Sequence, residues 1–441
     1  MISSPLPGLK NMASSGHAAL VATVSWSLAV AEPWSAVASA KRSRGDRASL
    51  SISGPPRARP GFGMGWLVAL RLVATRSPPG GARGRWARGG ATGEFVPVVN
   101  PSTRGRLATE MAAPTIPLID LAPALGGGRA ERLRVAAAID AACREIGFFA
   151  ITGHGVPAAV VHELRRLAHA FFALPLEVKL AARHPAGINR GYHPMGGEAL
   201  AAANDLAAPP DLKEFFHVGP VDVGDDPYYT CPEGRRHFAP NLWPPAPAGF
   251  REAATAYYRA MSRLVLELMR LAALALDVEE TFFDDKVDRA IGTMRLNYYP
   301  AQAVPPAPGQ LRASPHTDYG GFTILSGEDV AGGLQVRARD GRWLDVATTP
   351  TTFVVNIGDL LMRWTNDRWL SNLHRVVNPP REAGPSPARL SVAFFSHPNY
   401  DVVIECLPSQ GPPKYPPVRS GDYRDLKYAK TGLTGALAAG G

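Results

Sequence analysis

The chain has 441 residues, 47 basic and 38 acidic, for a formal net charge of +9. The excess is local: residues 1–110 carry 14 Lys/Arg against 4 Asp/Glu, and the rest of the chain balances at −1. Composition therefore leaves no nucleic-acid footprint on residues 111–441. A hydrophobic content of 46% excludes disorder throughout, and no apolar run reaches the ~18–20 residues needed to span a bilayer.

Residues 1–110 are rich in Ser, Ala, Arg, Gly and Pro and lack a sustained helical or strand period. Three readings fit them. They are a translated region upstream of a start at Met111, a basic and acid-poor organelle transit peptide, or a secretory signal around Ala18–Ala31. Each predicts a segment that is poorly ordered and dispensable. Cys143, Cys231 and Cys406 are far apart and form neither a CxxC pair nor a disulfide framework. That fits a reducing compartment: the cytoplasm, or an organelle if the first segment is a transit peptide.

From residue 111 the patterns sharpen. Ile116–Leu121 reads as a short strand, Ala130–Ile146 as a helix stopped by Gly147, and Phe148–Ile151 as a strand closed by the turn Gly153-His154-Gly155. Val160, Val161, Leu164, Leu167, Ala168, Phe171 and Phe172 recur at helical spacing. The longest helical pattern runs from about Gly249 to Leu276, with Tyr257, Met261, Leu264, Val265, Leu268, Leu271 and Leu274 as its stripe. Gly187–Pro210 has little regular pattern and reads as a loop.

Beyond Gly292 the period changes. Thr293–Tyr299, Phe322–Leu325, Gly333–Val336, Thr352–Ile357, His374–Val377, Arg389–Ser396 and Val402–Glu405 are short β-type runs separated by turn residues, the rhythm of a sandwich or barrel. The predicted fold is mainly β with flanking α: a helical, mixed N-terminal part on a jelly-roll core. The expected division is 1–110, 111–290, a core over 291–410, and a tail over 411–441 with a closing helix at Gly421–Thr431.

Ser314-Pro315-His316-Thr317-Asp318 contains His-x-Asp. In extended chain, residues two apart share a face, so His316 and Asp318 can grip one ion. Alone, such a pair is more often structural. His374, 56 residues after Asp318, supplies a third ligand if distant strands meet across a barrel. Two imidazoles and one carboxylate on one face of a metal leave positions open, as in non-haem Fe(II) oxygenases. A zinc hydrolase is the chemical rival, but no HExxH motif is present.

Arg389 and Ser391 also share a strand face. A guanidinium with a hydroxyl makes a good carboxylate receptor; a surface arginine on an edge strand is the plain alternative. The next residues on that face, Ala393 and Phe395, are apolar, so the face is expected to look inward. Phe395 then lines a substrate pocket or simply packs in the core. Asn297 and Tyr299 share a face of the strand Arg295–Tyr299 and are further candidates.

Together these residues resemble the iron/2-oxoglutarate-dependent dioxygenases of the isopenicillin N synthase-like superfamily. The resemblance runs from about Ile116 to Pro408. It is carried by Ile116–Leu121, Glu145–Phe149 with Gly153–Pro157, Gly191-Tyr192, Asp211–Phe216, Asn297–Pro300, His316-Thr317-Asp318, His374-Arg375-Val376 and Arg389-Leu390-Ser391. It implies a distorted double-stranded β-helix and Fe(II) held by His316, Asp318 and His374. Arg389 and Ser391 would bind the far carboxylate of 2-oxoglutarate, helped by Tyr299 and Asn297. Oxidation of 2-oxoglutarate by O2 to succinate and CO2 would then drive hydroxylation, desaturation or ring closure of a small molecule, with no nucleic acid, no membrane and a monomeric enzyme expected. The alternative is a 2-oxoglutarate-independent iron oxidase of the isopenicillin N synthase type, which also carries an Arg-x-Ser pair. His154 and His397 read as structural.

Overall fold

A computed structural model describes residues 116–183, 188–198, 200, 209–302, 306–329, 333–379 and 387–431. In residues 1–110 it describes only the backbone of two short hairpins, Ala38–Arg42 with Ala48–Ile52 and Trp86–Arg88 with Phe95–Pro97. The rest of that segment lies outside the described residues. The chain divides into Met1–Thr109 and Glu110–Gly441. The two hairpins belong to the first unit, and every candidate site residue belongs to the second.

Among the described residues of the second unit, Val403–Ile404 pairs with Val418–Arg419 in a small two-stranded sheet, and twelve further strands form two larger sheets. They are β1 (Leu118–Asp120), β2 (Phe148–Thr152), β3 (Gly191–His193), β4 (Glu214–Val218), β5 (Thr293–Tyr299), β6 (Ala313–His316), β7 (Phe322–Ser326), β8 (Leu334–Arg337), β9 (Trp343–Asp345), β10 (Phe353–Ile357), β11 (His374–Val376) and β12 (Arg389–Phe395). One sheet has eight strands in the order β1-β2-β10-β7-β12-β5-β4-β3, and the other has four in the order β6-β11-β8-β9. The fold is thus mainly sheet, with several helices.

The large sheet draws strands from both sides of residue 290. β1 and β2 extend one edge of the large sheet, and β4 and β3 extend the other, so the N-terminal part completes the sheet rather than only covering it. The expected loop Gly187–Pro210 contains β3, which pairs antiparallel with β4. Three residues are too few to display an alternation.

The helices follow their sequence patterns closely. α1 (Arg129–Glu145) ends at Gly147, whose φ of +72° suits glycine and whose missing Cβ would strike the carbonyl of Leu370. α2 (Ala158–Phe172) and α3 (Phe250–Ala275) bury the predicted stripes, with Val160 and Leu274 only partly covered. Burial of each such large apolar side chain contributes roughly 1.5–3 kcal/mol, which fixes α3 beside the sheet. α4 (Asp359–Trp364) has no counterpart in the predicted elements, and α5 (Ser420–Thr431) matches the predicted closing helix. Among the described residues no helix is long and apolar enough to cross a membrane.

Candidate metal centre and cavity

Register decides which side chains meet. β12 pairs with β5 so that Arg389 faces Tyr299, Ser391 faces Asn297, Ala393 faces Arg295 and Phe395 faces Thr293. Directly opposed residues in an antiparallel pair share a face. One face of the large sheet therefore carries Arg389, Ser391 and Phe395 from one strand, and Tyr299, Asn297 and Arg295 from the next. β7 and β10 continue it with Thr323 and Asn356.

His316 ends β6 and His374 begins β11, and the two residues are register partners in the small sheet. Asp318 follows two residues after His316 and is 5% exposed. Ligating atoms of the three side chains lie within 4.8 Å of one another. Asp318 Oδ1 is 4.0 Å from His316 Nε2 and 3.7 Å from His374 Nε2.

The imidazoles are oriented from behind. His316 Nδ1 lies 2.7 Å from the carbonyl of Ser314, and His374 Nδ1 lies 3.1 Å from that of Asn372. A carbonyl only accepts, so each Nδ1 carries the proton and each Nε2 offers its lone pair, the tautomer a metal requires. Burial, with His374 alongside, pushes the His316 pKa down to about 4, which keeps the ring neutral. Burial pushes the Asp318 carboxyl up, but His374, His316 and hydrogen bonds from Asn356 and Thr323 hold it below its ordinary value. Three buried groups so placed can hold a divalent cation.

Arg389 is 1% exposed. Its Nη2 reaches Thr348 Oγ1 at 3.4 Å, and its Nε has no hydrogen-bond partner among the described residues. Burial lowers its pKa. A buried cation with an unused donor is costly without an anion, so this end of the cavity suits a carboxylate.

A cavity of about 560 Å³ is lined by all eight residues singled out in the sequence: His316, Asp318, His374, Arg389, Ser391, Tyr299, Asn297 and Phe395. His154 and His397 stay apart from the metal group. The ring of His154 stacks on Phe353, and His397 Nε2 lies 3.3 Å from the carbonyl of Ser420.

Sequence reasoning missed Asn356, Arg295 and Lys213, which also line this cavity. Asn356 donates to Asp318 Oδ2 at 2.7 Å. Arg295 gives Nη1 to both oxygens of Glu198 at 3.0 Å, and Lys213 pairs with Glu198 at 2.7 Å and Asp211 at 3.0 Å. The signal for Arg295 was its place in the same alternation as Asn297 and Tyr299. For Asn356 it was a single polar residue inside an apolar strand.

Comparison with known proteins agrees with this geometry. Residues 116–246 match the family described as the non-haem dioxygenase in morphine synthesis N-terminal region, and residues 290–398 match the 2OG-Fe(II) oxygenase superfamily. The 2-oxoglutarate-Fe(II) type oxidoreductase hxnY of Emericella nidulans is 37% identical over 321 residues, 71% of this chain and 89% of the relative. Validamycin A dioxygenase of Streptomyces hygroscopicus subsp. limoneus is 31% identical, covering 70% of this chain and 84% of the relative. The crystal structure of a full-length Neurospora crassa protein in complex with alpha-KG and thymine superposes with a TM-score of 0.62 at 32% identity, over 73% of this chain and 98% of that one. The chain belongs to the 2OG-Fe(II) oxygenase superfamily, and it is an Fe(II)- and 2-oxoglutarate-dependent oxygenase.

Proposed function

We propose that His316, Asp318 and His374 hold the Fe(II), and that Arg389 and Ser391, with Tyr299 and Asn297, hold the 2-oxoglutarate carboxylate remote from the metal. The observation that carries this is the cavity itself. Its small-sheet side offers two imidazoles and a carboxylate, while its large-sheet side offers a buried guanidinium with an unused donor. The strands β5, β7, β10 and β12 of the large sheet and the four of the small sheet are then the halves of a distorted double-stranded β-helix within 291–410.

Iron with 2-oxoglutarate and O2 supplies the oxidant that removes a hydrogen from the substrate. The chain's own residues fix where that happens. Ser314 and Asn372 lock the imidazole tautomers. Arg389 and Ser391 fix the depth of the oxo acid, and Phe395 lines the space left for a small-molecule substrate. A small molecule is the substrate class because relatives act on such compounds, and thymine is bound in the Neurospora crassa structure.

Titration of succinate formation against Fe(II) and 2-oxoglutarate tests this. Saturable dependence on both is expected, with oxaloacetate failing as a replacement because it is one carbon too short to reach Arg389. Full-rate consumption of O2 and substrate without any oxo acid would instead establish the oxidase reading.

A further inference from the structure

Contiguous with the first cavity through Leu200, Arg295, His316, Asp318 and Phe395 is a second pocket, which adds Glu198, Tyr319 and Arg424 to the lining. Two of its buried donors lack an acceptor among the described residues. Arg295, 7% exposed, gives Nε to His217 and Nη1 to Glu198 and stands beside them. Arg424, 6% exposed and brought in by α5, gives Nη1 to the carbonyl of Ile291 and Nη2 to His237, leaving Nε without a partner. The Tyr319 hydroxyl is buried with no partner.

Charge singles out Arg424. Arg295 and Lys213 are matched by Glu198 and Asp211. Glu198 is thereby fully engaged and does not oppose a second anion. Asp425, beside Arg424 in sequence, pairs with Arg236 at 3.5 Å. His237 and His397 are kept neutral, chiefly by burial, with pKa values of about 2 and about 3. Arg424 shares the electrostatic pull of Asp425 with Arg236, but its buried Nε meets no acceptor among the described residues, which leaves that donor for an anion, as at Arg389.

We propose that the substrate is a monocarboxylic acid whose carboxylate is received by Arg424 Nε and the Tyr319 hydroxyl, with the Arg295 guanidinium beside them. Its apolar body lies along Phe395 and Leu200, with a C–H bond presented to the metal centre. This rests on 2-oxoglutarate occupying the Arg389 end. The assignment makes Arg424, on the closing helix, a specificity-determining residue. An uncharged ring of carbonyl acceptors would leave Arg424 without an anion.

The experiment is anaerobic calorimetry on the full chain with Fe(II) and saturating 2-oxoglutarate, which keeps Arg389 engaged. The probes are benzoate, phenylacetate and hexanoate, each against its primary amide, with uracil as a neutral carbonyl-rich ring. At least one acid should bind tenfold or more tightly than its amide. That preference should collapse in Arg424→Gln and be partly restored in Arg424→Lys. Tyr319→Phe, which removes an oxygen that holds no partner and so spares the fold, should weaken the same acid several-fold. The proposal is overturned if no acid outbinds its amide by threefold, or if uracil outbinds every acid. Failure of 2-oxoglutarate itself to bind the same preparation is a separate result that removes the co-substrate reading.

Discussion

Asn356 donates its side-chain amide to Oδ2 of Asp318 at 2.7 Å, which leaves Oδ1 as the oxygen turned toward His316 and His374. The two residues are distant in sequence and meet because β10 and β7 are paired. Groups that orient a ligating carboxylate typically matter 10–100-fold for metal affinity. Asn356→Ala should weaken Fe(II) binding by about that factor, measured by anaerobic titration; unchanged affinity would show that Asp318 needs no such support.

Replacement of the ligating groups should be far more severe. If each of the three residues supplies one protein ligand, as proposed, His374→Ala is expected to abolish succinate formation. Asp318→Ala should keep weak metal binding through two imidazoles while losing turnover. Undiminished activity in purified, folded His374→Ala protein would refute the assignment.

At the other end of the cavity, Arg389→Lys keeps the charge and loses the planar fork. Hydrogen bonds to charged groups are worth roughly 1.5–3 kcal/mol, so the apparent affinity for 2-oxoglutarate should fall about 10- to 150-fold. Fe(II) affinity should be unchanged, because Arg389 is not a ligand. A kinetic titration of each co-substrate separates the two effects.

Phe395 stands six residues after Arg389 on the same face and is incompletely buried. Phe395→Ala should raise the substrate KM more than it lowers the melting temperature. A large drop in melting temperature with an unchanged KM would place Phe395 with the core instead.

Glu198 yields a pH signature. Burial would raise its pKa, but Arg295 and Lys213 outweigh that and hold it down at about 2. A carboxyl depressed on folding stabilises fully above its unfolded value of about 4.3 and loses that contribution as pH falls toward the folded value. The stability gap between wild type and Glu198→Gln should therefore be constant above about pH 5 and narrow below it. A gap that stays flat down to about pH 3 would mean the pair contributes nothing through charge.

The sequence disclosed the parts whose signal is local. The stripe Tyr257–Leu271 and the alternation of Arg389, Ser391 and Phe395 each state their own face, and the metal group was visible because His316 and Asp318 are neighbours. Elements of three or four residues, such as β3, β6 and β9, are too short for a period to register. The wall built by Glu198 and Arg295 was invisible for another reason: its partners are 97 residues apart, and only the pairing of β4 with β5 brings the Lys213 end of the chain beside them. Asn356 looked like a flaw in an apolar strand until its side chain was found donating to Asp318.

The placement of Arg389 and Phe395 on one strand has an evolutionary consequence. With a two-residue period, an inserted or deleted residue in β12 would turn one end of its inward set to the wrong face relative to the other. Point changes, by contrast, act locally: the residue at 395, or its neighbour at 295 on β5, can be exchanged while Arg389 and Tyr299 keep their mutual register. If Arg389 holds 2-oxoglutarate and Phe395 meets the substrate, as proposed, descendants of this chain can diversify in what they oxidise by side-chain replacement at one end of the strand, while the demand for 2-oxoglutarate is inherited intact at the other.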